Sequence, residues 1–256
     1  MSIRAFAALD RYHLLPRVLH YVQEVNLQCQ FLGVTIASPL IPKRKLGDKL
    51  DHQPSLLDMS QSSQELESFA GLIPLLNPEK MGILVARLKQ LASKKPLAIC
   101  LDMSVLVASP PIGAVKFLPK SREDLAELVA VANCPLWIYG ISSPADAEIA
   151  AEAGCEGIII NTSPYENLAA PATIEIFGEI FDTVAGTLST YVGGPIRHGV
   201  DIFRYLAIGA QAVIIESDRA LEHLQAELAY AMRLTGCESL ADIGYEAIYA
   251  PLFERN

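Results

Sequence analysis

Basic residues are scarce in this chain. Twenty Lys and Arg stand against 29 Asp and Glu, giving a formal net charge of −9. A surface this acidic excludes nucleic acid and anionic membranes as partners, because gripping phosphates takes clustered cations. The one basic cluster, Lys43-Arg44-Lys45, reads as a solvated loop. The five cysteines (Cys29, Cys100, Cys134, Cys155 and Cys237) form no C-x-x-C pair and no Cys/His ligand spacing, so no metal site is expected. They read as buried free thiols in a reducing compartment. No apolar run approaches the roughly 20 residues of a transmembrane helix. Met1-Ser-Ile-Arg4 is not followed by the apolar stretch of a signal peptide, and a cytoplasmic protein is expected. Histidine is missing altogether between Gly140 and Gly194.

What the chain has is apolar bulk: 51% of its 256 residues are hydrophobic. That is enough for one large core, at the length of an α/β barrel formed as one domain. From Pro96 onward the pattern alternates regularly. Leu97–Leu101, Leu136–Tyr139, Gly157–Ile160, Leu188–Val192 and Ala212–Ile215 are short apolar runs of strands buried on both faces, the mark of a parallel sheet. Between them lie helical stretches at 121–132, 144–153, 172–185 and 200–208, and a long last helix runs over 221–234. Ser121 with Asp124 forms a loose capping box, and Ser143-Pro144 pairs a cap residue with a first-turn proline. Gly154 and Gly209 stand where left-handed caps are expected.

The first 95 residues are less regular. Phe31–Ile36 and Gly71–Leu76 read as strands and 78–93 as a helix, while 42–63 is polar, turn-rich and read as a long loop. The count reaches seven strands within one domain over residues 1–256.

Several segments carry a family resemblance across most of the chain. Leu15-Pro-Arg-Val-Leu19, Pro96–Leu106, Pro135–Asn161, Ala170–Glu175, Arg197–Ala212 and Leu234–Gly244 are similar to the FMN-dependent 2-hydroxy-acid oxidases and dehydrogenases, such as glycolate and lactate oxidase. The resemblance implies a TIM (β/α)8-type barrel, about one βα unit short in the N-terminal half, with FMN as the cofactor and homo-oligomers as the assembly.

It also implies where chemistry should lie. The family strand L-P-L-I-V-K-G-I has a flavin-facing Lys; here Cys134–Ile141 places Tyr139 there. The family loop S-N-H-G-G-R-Q carries the catalytic His and a substrate-gripping Arg; here those places hold Thr162 and Tyr165. A Thr hydroxyl is no base near neutral pH without a partner, and Tyr offers no cation to a carboxylate. The second substrate Arg is absent from Leu106–Pro111, and the family's third strand is expected to be missing. For the cofactor phosphate, the family's D-G-G-I-R becomes Gly193-Gly194-Pro195-Ile196-Arg197, and its second G-R pair becomes Glu216-Ser217, with Arg219 two residues on. Gly194, Arg197, Ser217 and Asp102 are the candidate cofactor-binding residues.

These substitutions imply a divergent relative unable to oxidise 2-hydroxy acids, serving as a module for a small ligand or a protein partner. The alternative is an FMN-dependent oxidoreductase with altered substrate or chemistry.

Overall fold

The computed structural model describes residues 3–48, 53–59, 69–108, 117–216 and 219–250. Eight parallel strands close into a barrel: β1 (Leu40–Lys45), β2 (Ser55–Asp58), β3 (Leu72–Leu76), β4 (Ile99–Asp102), β5 (Leu136–Ile141), β6 (Gly157–Ile160), β7 (Ser189–Val192) and β8 (Ala212–Ile215). β8 returns to β1 with Ile214 against Ile41, which closes the ring. Closure leaves no exposed sheet edge.

The expected count of seven strands is corrected to eight. Phe31–Ile36 is not a barrel strand. It is an antiparallel pair, Cys29–Phe31 with Val34–Ile36, turning at Leu32-Gly33. Both turn residues have positive φ (48° and 79°), as a tight hairpin with right-handed twist demands. Two barrel strands instead occupy the stretch read as a loop, and the strand expected to be missing is present. Lys43-Arg44-Lys45 is thus the end of β1 and not a loop. Among the described residues no helix follows β1 or β2.

Helices α1 (Ile3–Leu9), α2 (Met81–Ala92), α3 (Arg122–Ala132), α4 (Pro144–Glu152), α5 (Thr173–Val184), α6 (Gly199–Ala207) and α7 (Leu221–Thr235) are joined by one short turn of helix at Val105–Ala108. α2 to α7 each follow a strand, as right-handed βα crossovers require. The chemical signals at their ends act as expected. Ser121 Oγ accepts from Asp124 N at 3.1 Å while Ser121 N donates to the Asp124 carboxylate at 3.0 Å. Ser143 caps α4, and Gly154 and Gly209 take φ of 85° and 106°.

Strand alternation divides the core in two. Leu57, Ile99, Leu101, Ile158, Ile160 and Val213 face outward to the helices, packing on residues such as Leu88, Leu128, Phe177 and Phe203. Ile41, Leu56, Ile73, Cys100, Trp137, Ile159, Tyr191 and Ile214 fill the barrel interior. The hairpin drives Phe31 edge-on against Trp137 and Tyr191, with ring centroids 5.8 and 5.7 Å away. Trp137 and Tyr191 stack at 4.3 Å. This aromatic cluster fills the barrel near the start of β5 and leaves the strand C-terminal ends as the place for polar side chains.

Candidate functional site at the barrel mouth

Each strand's period of two carries its next inward residue to the mouth. Two positions beyond Ile41, Ile159 and Ile214 stand Lys43, Asn161 and Glu216. They meet around Tyr139, which is buried near the end of β5. The Tyr139 hydroxyl donates to Glu216 Oε1 and accepts from Asn161 Nδ2 at 2.6 Å. Lys43 Nζ lies 3.4 Å from Glu216 Oε1 and 4.9 Å from the centre of the Tyr139 ring. Asn161 Oδ1 accepts from Ser163 N at 3.0 Å. Burial, followed by the neighbouring Glu216 carboxylate, pushes the Tyr139 phenol well above its ordinary value. It is therefore a neutral hydrogen-bond donor at physiological pH.

Local backbone geometry places Tyr139. The β5–β6 register shifts between Tyr139 and Ile141, and the intervening Gly140 has φ of 89°. Such a bulge turns a side chain inward next to a site. A β-carbon at Gly140 would come within 2.7 Å of Ser104 Cβ, so only glycine fits. Across the mouth, a β-carbon at Gly193 would lie 3.2 Å from the Tyr139 hydroxyl, and one at Gly194 would lie 3.2 Å from Asn161 Oδ1. The glycine pair therefore makes room for the network.

Thr162 is buried against the start of α5. Its N–H donates to Thr173 Oγ1 at 3.1 Å, and the two hydroxyl oxygens are also 3.1 Å apart. Tyr165 sits on a 3-10 turn, Ser163–Leu168, and donates to the Gly140 carbonyl at 2.7 Å. Burial pushes its phenol up to about 12. Both residues thus brace the loop around the bulge. Asp102 ends β4; its Oδ1 accepts from Ser104 N at 3.0 Å and from Ser104 Oγ at 2.5 Å. Burial raises its carboxyl above the ordinary value, with the Ser104 hydrogen bonds opposing.

Arg197 is brought to a different set of partners. Its Nε and Nη2 donate to Asp201 at 3.1 and 2.9 Å, and Nη1 and Nη2 donate to Asp10 at 3.0 and 2.7 Å. The guanidinium also lies 4.4 Å from the Phe6 ring of α1. Ser217 and the last three residues of Leu106–Pro111 lie outside the described residues. Arg219 donates to the Arg197 carbonyl and, at 2.9 Å, to Glu227. Glu227 also accepts from Gly199 N at 2.7 Å, satisfying the start of α6. His198 stands at the N-cap position of that helix, exposed and without a side-chain capping bond. Among the described residues no His/Cys/Asp/Glu group could hold a metal ion, and no helix is long and apolar enough to cross a membrane.

Of the candidates read from sequence, Tyr139 and Gly194 converge at the mouth, while Thr162, Tyr165 and Arg197 are turned to other contacts. Lys43 and Asn161 were missed as members of the site. Counting two residues past each inward apolar position was the signal that would have found them.

The matching family model is described as FMN-dependent dehydrogenase, and it covers residues 115–250, more than half of the chain. An L-lactate oxidase of Roseobacter sp. (strain GAI101) is 36% identical over 146 aligned positions, covering 51% of this chain and 39% of that protein. A peroxisomal (S)-2-hydroxy-acid oxidase of Oryza sativa subsp. japonica is 27% identical over 309 aligned positions, covering 93% of this chain and 84% of that protein. Among solved structures, mandelate oxidase with (S)-2-phenylpropionate superposes with a TM-score of 0.75 over 96% of this chain and 88% of that one. The identity there is 22%, so that likeness speaks to the barrel alone. By fold and by the matched segment, the chain belongs to the FMN-dependent dehydrogenase family.

Proposed function

We propose that this chain keeps the family's barrel without its 2-hydroxy-acid oxidation, and acts as a binding module for a small ligand or a protein partner. The observation that carries this reading is the network at the mouth, where Tyr139, Glu216, Lys43 and Asn161 satisfy one another. Oxidation of a 2-hydroxy acid needs a group to take the substrate's proton and a cation to hold its carboxylate. Thr162 is held by Thr173, and the Tyr165 phenol stays neutral while bonded to a carbonyl oxygen. Neither supplies those functions.

The residues present also do not fit FMN well. A phosphate seat needs free cationic donors. The Arg197 guanidinium is shared between two carboxylates, and Arg219 is paired with Glu227. Glu216 sets a carboxylate immediately after β8, where the resemblance puts the phosphate.

The test is the visible spectrum of the freshly purified chain, followed by titration with FMN. The reading expects a colourless protein with no thermal shift on adding FMN. A yellow preparation, or a saturable shift, would overturn the claim that the flavin seat is lost.

Two further expectations belong to this proposal. All five cysteines are free, which suits the reducing cytoplasm. Val18, Leu19 and Tyr21 are 90%, 88% and 87% exposed on one segment, which supports self-association. A clean monomer on sedimentation would contradict it.

A further inference from the structure

The mouth network leaves its one amine underused. Lys43 stands two residues past the inward Ile41 near the end of β1, and its side chain is 21% exposed. An ammonium group has three donor hydrogens. Among the described residues Lys43 makes a single hydrogen bond, to Glu216 Oε1 at 3.4 Å. Its other contact is the face of Tyr139, whose ring centre lies 4.9 Å away. Nζ therefore keeps donors to spare, while Tyr139 stays bonded to both Glu216 and Asn161.

A lysine amine attacks a carbonyl carbon once it has lost a proton. Glu216 is placed to take that proton. A ligand that merely displaced Lys43 would leave the Glu216 carboxylate without its cation. Condensation avoids that loss, because a protonated imine carries the same positive charge as the ammonium it replaces. The Lys43 charge also acts on the Asp102 carboxyl at the end of β4. Two carboxylates sharing one cation repel an anionic ligand and favour an uncharged one.

The geometry points to Lys43 as a covalent capture residue, which condenses with a small uncharged aldehyde or ketone at the barrel mouth, with Glu216 as the proton carrier. The ammonium passes a proton to Glu216, and the nitrogen lone pair bonds to the carbonyl carbon. A proton moves from nitrogen to the former carbonyl oxygen, giving a carbinolamine. Glu216 returns its proton to that hydroxyl, which leaves as water while the carbon–nitrogen double bond forms. The balance is ammonium plus carbonyl compound giving iminium plus water, with nothing oxidised or reduced. This rests on the mouth as a small-ligand site. FMN-dependent oxidation of a 2-hydroxy acid would remove both claims, whereas unselective labelling in a chain without that activity removes this one alone.

The test treats the full chain with equimolar butyraldehyde and sodium cyanoborohydride, which locks an imine as a secondary amine, and maps the butylated lysines by peptide mass spectrometry. Lys43 should be labelled at least about ten-fold faster than the average of the other lysines, and Glu216→Gln should slow it by at least about ten-fold. Succinic semialdehyde, with the same chain length and a carboxylate, should show less preference for Lys43. Labelling of Lys43 no faster than the other lysines overturns the proposal, and that result needs no variant. Unchanged labelling in a folded Glu216→Gln overturns the role of Glu216. A stronger preference with succinic semialdehyde overturns the uncharged ligand class.

Discussion

Tyr139 donates its hydroxyl hydrogen to the Glu216 carboxylate, tying the end of β5 to the exit of β8 across the barrel mouth. The same hydroxyl oxygen is the acceptor for Asn161 Nδ2. Tyr139→Phe keeps the ring, and so keeps the packing with Lys43, but strands a buried amide donor. Losing a buried hydrogen bond in this way costs about 1–3 kcal/mol. Urea denaturation should show a lower midpoint with an unchanged slope.

Gly140→Ala tests the bulge that aims Tyr139. The new methyl would press on Ser104, 2.7 Å from Cβ and 2.8 Å from the backbone N, at a residue whose φ is 89°. Left-handed strain costs about 1–2 kcal/mol and overpacking about 1–3 kcal/mol. The expected result is a loss of about 2–5 kcal/mol when the two add, read from thermal and urea melts. Gly47→Ala is the comparison: its φ is also positive, at 99°, but a β-carbon there meets nothing within 4 Å. It should cost less.

Asp10 gives the fold an acid-sensitive contact. Hydrogen bonding to Arg197 holds its carboxyl below the ordinary 3.8. The folded state therefore binds the proton less readily than the unfolded chain. The stability from this group is fully present above the unfolded value and is lost as pH falls below 3.8 through the folded value. Stability measured from pH 6 to pH 3 should fall less steeply in Asp10→Asn than in the wild type.

Asp102 works in the opposite sense. Burial raises its carboxyl above 3.8, so the folded state holds the proton more tightly and loses stability as pH rises from 3.8 through the folded value. Asp102→Asn keeps an oxygen for the Ser104 donors and removes the buried charge. The variant should be at least as stable as the wild type at pH 7, and the difference should disappear as pH is lowered toward 4.

Most of the regular half of this fold is legible in the sequence. Strands β4 to β8 are short apolar runs, and the caps at Ser121 and Ser143 mark their helices to within a residue or two. β1 was hidden because Leu40–Lys45 changes from apolar to cationic midway, where its end enters the polar mouth, and because Pro42 has no N–H for a sheet. β2 has only four residues. Phe31–Ile36 passed for one strand because nothing in a leucine side chain announces the left-handed turn at Leu32. At the site, Tyr139 and Glu216 stood out by what they replace. Lys43 and Asn161 did not, since their roles depend on closure of a ring that the strand count had left open. The capture of Arg197 by Asp10 links residues 187 positions apart, and no local pattern encodes it.

The most direct test of the central claim is a dye-reduction assay with the purified chain, supplemented with FMN and offered glycolate, L-lactate and mandelate in turn. The mouth as built, with its phenol, carboxylate and ammonium bonded to one another, predicts no dye reduction above the enzyme-free rate for any of the three. Saturable, FMN-dependent reduction with even one of them would contradict it.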